Sequence, residues 1–151
     1  IDVLVCATGF DTTYTPRFQM IGRNGLSLAK RWKETPETYI SIAVDGFPNY
    51  FISLGPNAGL GEGNLLTLIE RGIDYFTEVI AKMQRDNIKA IDVRTDAVTR
   101  FTKHCDQYFK RTVFGTKCRS WYKGGTEDGR IVALWPGKYP FRMIGLCVIG
   151  R

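Results

Sequence analysis

The sequence predicts an α/β (α+β) fold in which a short, mostly parallel sheet is packed by two long amphipathic helices. Three observations carry this. Four apolar runs of strand length, Val3 to Ala7, Ile40 to Val44, Tyr50 to Leu54 and Ile131 to Trp135, end in turn-forming residues. Two longer stretches repeat apolar residues at helical spacing. A Gly-rich loop, Gly59 to Gly63, leads from strand into helix, which turns backbone N–H groups and a positive dipole end toward an anion or a polarised carbonyl. With 151 residues the chain is expected to fold as one domain over residues 1–137, followed by an apolar tail over 138–151.

Taken in order, Val3-Leu4-Val5-Cys6-Ala7 is apolar on both faces, the pattern of a buried, parallel strand with neighbours on either side. Pro16 and Gly22 mark Thr12 to Arg23 as loop. Asn24-Gly25 is a turn, and Leu26 to Trp32 a short helix that Pro36 keeps from extending. The turn set Asp45-Gly46-Phe47-Pro48-Asn49 separates the next two strands, and Gly55-Pro56-Asn57 closes the second. Asn64 is placed to cap a helix over Leu65 to Asp86. Its apolar positions Leu65, Ile69, Ile73, Phe76, Ile80 and Met83 form one stripe, read as core, with Gly72 beside it to admit a close backbone. Ile88 to Val93 is a short strand. Thr95 caps a second helix, Asp96 to Thr112, whose inner side carries Val98, Phe101, Cys105, Tyr108 and Phe109.

The net charge of +6 is unevenly placed: from Arg100 to Lys123 there are seven basic residues against one acid, Asp106. Nucleic acid is one partner for such a patch and a phosphate-bearing cofactor another; a solvated helix face is the reading adopted, so no nucleic-acid partner is expected. No run of 18 apolar residues exists to span a membrane. Cys6, Cys105, Cys118 and Cys147 lack the spacing of a disulfide framework, which points to a reduced, cytoplasmic setting. The single imidazole, His104, has no C-x-x-C pair near it, and no metal site is expected.

Four segments, Cys6-Ala7-Thr8-Gly9-Phe10-Asp11, Asp45-Gly46-Phe47-Pro48-Asn49, Gly55-Pro56-Asn57 and Ser120-Trp121-Tyr122, carry a resemblance by their order and intervals. They resemble the C-terminal part of flavin-containing, Baeyer–Villiger-type monooxygenases of the fungal secondary-metabolism kind, over about residues 1–137. The resemblance implies a remnant of the C-terminal half of an FAD domain, with FAD and NADPH as the family cofactors. It implies that Ala7, Thr8 and Gly9 lie at the junction of two domains, that Gly55, Pro56 and Asn57 lie near the flavin ring, and that Trp121 contacts the nicotinamide cofactor. The family's phosphate-binding turns, its fingerprint and its catalytic Arg lie upstream of the matching region. No G-x-G-x-x-G follows a strand here, so the isolated chain is expected to hold no cofactor. Oxygen chemistry resides in the flavin and is then expected to be silent.

The leading expectation is a truncated, redox-inactive protein that catalyses a cofactor-free step, such as cyclisation, isomerisation, dehydration or lactone opening, on a small apolar natural product. Its candidate catalytic residues are Asp45, His104, Asp11 and Tyr108, with Tyr14 and Trp121 also lining a pocket. Asp45 has a competing role as the backbone cap of its turn. His104 and Asp106, two apart on a helix, do not face each other. Two alternatives stand beside it. The start at Ile1 without Met favours a piece of an intact FAD/NADPH monooxygenase, and the third reading is a non-catalytic accessory or remnant. Unpaired apolar strands invite another chain, so a homodimer or larger assembly is expected.

Overall fold

Three consecutive turns set the centre of the fold, and each follows from its residues. In a computed structural model, which describes all residues except Phe10, Glu62, 138–147, Gly150 and Arg151 (for Val148 and Ile149 the backbone alone), Phe47 N–H donates to Val44 O, Tyr50 N–H to Phe47 O and Ala58 N–H to Gly55 O. The third residue of each turn, Gly46, Asn49 and Asn57, has positive φ. Pro at the second position with Asn at the third is the type II pattern, since Pro presets φ and Asn tolerates the left-handed region. These turns fold Val44 and Phe47 onto Leu28 and Trp32, giving a first core cluster with Tyr14, Met20, Leu26, Tyr50 and Ile52 against it.

Helix α1 is the single turn Leu28–Arg31, shorter than the sequence suggested. Helix α2, Leu65–Arg85, begins where expected: the Asn64 side chain accepts from Leu66 N–H at 2.9 Å. Its end is equally local. Asn87 takes positive φ, Ile88 N–H donates to Met83 O and Asn87 N–H to Gln84 O, the two bonds of a Schellman stop. Helix α3, Thr95–Phe109, starts with Arg94 rather than Thr95 at the cap position and stops three residues before Thr112. Its buried residues Ala97, Val98, Thr102, Cys105 and Phe109 recur at helical spacing. Cys105 and Phe109 join Ile131 and Leu134 in a second cluster, flanked by Phe101, Phe114 and Tyr122.

The mostly parallel sheet is not found among the described residues. Val3 to Ala7 forms no strand and is exposed. The segments Ile40 to Val44 and Tyr50 to Leu54 meet only at the isolated antiparallel bridge Ala43–Phe51. Positive φ at Ile40, Ser41 and Leu54 breaks the extended conformation a strand requires. Ile131 to Leu134 is buried and Trp135 partly so, but the segment is irregular, touching Gly59 through one parallel bridge at Leu134. Of Ile88 to Val93, only β1, Asp92–Val93, is strand; it pairs antiparallel with β2, Val148–Ile149. The expected apolar tail otherwise lies outside the described residues, as does Cys147.

The α2 stripe is a second correction. Leu65, Ile73 and Ile80 are exposed, and only Val79 of this helix is buried. The helix meets the body through Phe76, whose ring lies 4.9 Å from that of Phe51. The docked line through Phe76 and Val79 is offset around the helix from Ile73 and Ile80, which face outward. Gly72 admits no close backbone: a Cβ there would meet nothing within 4 Å.

Candidate functional site

The Gly55–Asn57 turn is tightly built. Asn57 is 2% exposed, and its side-chain amide donates both hydrogens, to Ile131 O at 2.8 Å and Leu134 O at 3.0 Å. Its backbone N–H donates to Val132 O, Gly59 N–H to Ala133 O, and Trp135 N–H back to Gly59 O. Thr38 Oγ1 donates to Pro56 O at 3.1 Å. The glycines are required by this packing: a Cβ on Gly55 would lie 2.6 Å from Ser41 O, and one on Gly59 2.5 Å from Ala133 O. One asparagine thus brackets the loop to the 131–135 segment. Sequence reading placed Asn57 beside a ligand; its buried amide is engaged within the protein.

Beyond this bracket, Gly61, Gly63 and the start of α2 are exposed. This is the Gly-rich connection the sequence singled out. No G-x-G-x-x-G is present, and Gly55 and Gly59 face their own chain rather than open space. The described residues therefore offer no turn of that kind for a pyrophosphate.

The other predicted residues are scattered. Asp45, with Glu37, pairs with Arg31: Arg31 Nη2 lies 3.1 Å from Asp45 Oδ1 and 3.0 Å from Glu37 Oε2. This half-buried guanidinium ties α1 to the central turns, and Trp32 Nε1 donates to Glu37 O beside it. The adjacent Gly46 N–H is held by Asp92 Oδ1, not by Asp45, and Asp92 also pairs with Arg23. Asp11 is exposed in its own Asx turn; the N–H of Thr13, donating at 3.0 Å, lowers its carboxyl pKa. His104 is exposed on α3, while Asp106 pairs with Arg130 at 2.6 Å. Tyr108 stacks edge-on against Phe109 at the surface. Tyr14 packs on the first core cluster, and burial raises its hydroxyl pKa. Among the described residues, Asp11, Asp45, His104 and Tyr108 share no hydrogen bond or ion pair. Ala7, Thr8 and Gly9 are exposed on the unpaired N-terminal segment.

Trp121 is 59% exposed, so it does not pack over a helix. It begins the short 3-10 turn Trp121–Lys123, whose next residue, Tyr122, meets the Phe114 ring edge-on at 5.6 Å. Among the described residues no group of three potential metal ligands gathers, and no helix is long and apolar enough to cross a membrane.

Known proteins resemble this chain over most of its length. An FAD-binding monooxygenase, stcW, of Emericella nidulans is 41% identical over 91% of this chain and 23% of its own length. The chain is homologous to flavin-containing, Baeyer–Villiger-type monooxygenases. A Baeyer–Villiger monooxygenase of Pseudomonas aeruginosa is 32% identical over 91% of the chain and 26% of itself. Among solved structures, a cyclohexanone monooxygenase from Rhodococcus sp. Phi1 bound to NADP+ superposes with a TM-score of 0.67. It is 30% identical, covering 79% of this chain and 22% of that one. No protein-family model matches. The chain spans about a quarter of the length of the curated relatives it matches.

Proposed function

We propose that these residues serve as one part of an FAD- and NADPH-dependent monooxygenase of the Baeyer–Villiger type. The observation that carries this reading is 41% identity with an FAD-binding monooxygenase over 91% of the chain. In this reading the bound flavin supplies the oxygen chemistry, and the chain supplies surroundings. The bracketed Gly55–Asn57 turn holds the Gly61–Asn64 loop and the α2 N-terminus as a wall beside the flavin. Trp121 presents its indole to the nicotinamide. The rest of such an enzyme provides the phosphate-binding turns and covers Val3 to Ala7 and the outward face of α2.

A cofactor-free reaction finds less support. Its named residues share no hydrogen bond or ion pair among the described residues, and Asp45 is engaged by Arg31. Self-association and a cytoplasmic setting remain proposals on the same footing, suggested by the exposed apolar segments and by cysteine usage.

A graft tests the reading. The matching stretch of the Emericella nidulans relative is replaced by this sequence, and the product is assayed for flavin colour and NADPH oxidation with a ketone. Retention of both supports the proposal, and Trp121→Ala in the graft is expected to raise KM for NADPH. A folded but colourless graft, or a Trp121→Ala variant with unchanged KM, contradicts it.

A further inference from the structure

Lys123 is the one lysine buried among the described residues, at 5% exposure, and no carboxylate lies within ion-pair distance of it there. Its ammonium donates to two backbone carbonyls, Thr116 O and Glu127 O, the second at 2.9 Å. An ammonium removed from water without a counter-charge is expensive, so the contacts it makes in return are informative. They join the two ends of one loop. Thr116 enters the segment that carries Trp121, and Glu127 leaves it.

The rest of the loop is organised around the same residue. Thr126 Oγ1 donates to Lys123 O at 3.0 Å, and Lys123 N–H donates to Ser120 O. Gly125 N–H also reaches Ser120 O, and Arg119 Nε donates to Gly125 O at 2.7 Å. Gly129 is confined here too: a Cβ on it would lie 2.3 Å from Lys123 O. Tyr122 fixes one side of the turn to the second core cluster, with Val132 N–H donating to its carbonyl. With Tyr122 anchored and the loop ends tied, the Trp121 ring stands edge-on to Tyr122 at 5.9 Å and is exposed. We infer that Lys123 is a positioning residue: its ammonium closes the Thr116–Glu127 loop and thereby holds the Trp121 indole in the exposed orientation. The inference concerns the orientation of Trp121, and its functional meaning rests on the nicotinamide reading given above.

The test uses the whole chain labelled with fluorotryptophan, whose three tryptophans, Trp32, Trp121 and Trp135, give separate fluorine signals assigned by single Trp→Phe variants. Lys123→Met keeps the length of the side chain and removes its donors. The expected result is a shifted or broadened Trp121 signal with those of Trp32 and Trp135 unmoved, together with a several-fold rise in tryptic cleavage after Lys117 and Arg119. An unmoved Trp121 signal overturns the inference. If all three signals move, the variant has lost its fold, and amine-reactive labelling of the unmodified chain decides. Lys123 protected relative to Lys110 and Lys117 supports the role, whereas labelling as fast as Lys117 overturns it. No nicotinamide enters this experiment, so its failure removes Lys123 alone, whereas the Trp121→Ala graft tests the reading beneath it.

Discussion

Helices α2 and α3 carry equally regular apolar stripes and meet opposite fates. In α3 the stripe is interior except for Tyr108: Cys105 is 0% exposed and Phe109 packs against Phe114 and the 131–134 segment. In α2 the centre of the stripe faces outward, Ile73 at 53% exposure, and the helix touches the body along its edge through Phe76 and Val79. Period identifies which face is apolar; it says nothing about whether the covering surface belongs to the same stretch of chain. α2 is held as a helix by its own ends, the Asn64 cap and the Asn87 stop, while in α3 the Arg94 side chain at the cap position bonds Asp96 and caps no backbone N–H, so the helix relies on its packing.

The contrast can be broken first in the core. Phe109→Ala should destabilise the chain by about 3–5 kcal/mol, whereas Ile73→Ala should stay within about 0.5 kcal/mol, both read by denaturant unfolding. Equal losses would mean that α2 is as buried as α3. Asn57→Ala removes both amide donors from the Ile131 and Leu134 carbonyls, with an expected loss of about 2 kcal/mol and loosening of the 131–135 segment in hydrogen exchange. Asn64→Ala should lose about 1 kcal/mol, seen as fraying of the first turn of α2 while α3 is untouched.

A pH experiment sharpens the α3 side. Burial pushes the Cys105 thiol up from 9.0 to about 12. The folded state then keeps a proton that the unfolded chain releases. This contribution is whole below pH 9 and falls away as pH rises toward 12. The stability gap between the natural chain and Cys105→Ala should therefore narrow over that range; a constant gap contradicts the burial. At neutral pH, thiol reagents should label Cys6 and Cys118 and spare Cys105 until the protein is denatured.

Local chemistry was legible and non-local chemistry was not. The Pro-Asn turns, the Asn64 cap and the span of α2 all follow from residues within a few positions of each other. The strands failed for the reason that α2 lies open. Val3 to Ala7 has the apolar pattern of a buried strand but no partner here, and the 40–57 segment bends through left-handed residues that its apolar content does not reveal. At the candidate site, the Gly-Pro-Asn turn was legible from local residues, but only the fold shows that the Asn57 amide faces carbonyls 74 and 77 positions away. Asp45 was singled out as an acid in an apolar turn; its partner Arg31, 14 positions earlier, gave no sequence signal. Lys123 passed as one cation in a basic run, and burial alone distinguishes it.

Hydrogen exchange along α2 and α3, measured in this chain alone and in the graft on the Emericella nidulans relative, tests the account most directly. The expected result is α3 protected in both and α2 protected only in the graft, where the proposed function puts the remainder of a monooxygenase over Ile73 and Ile80. Protection of α2 equal to that of α3 in the isolated chain, or an α2 still open in a folded graft, would contradict it.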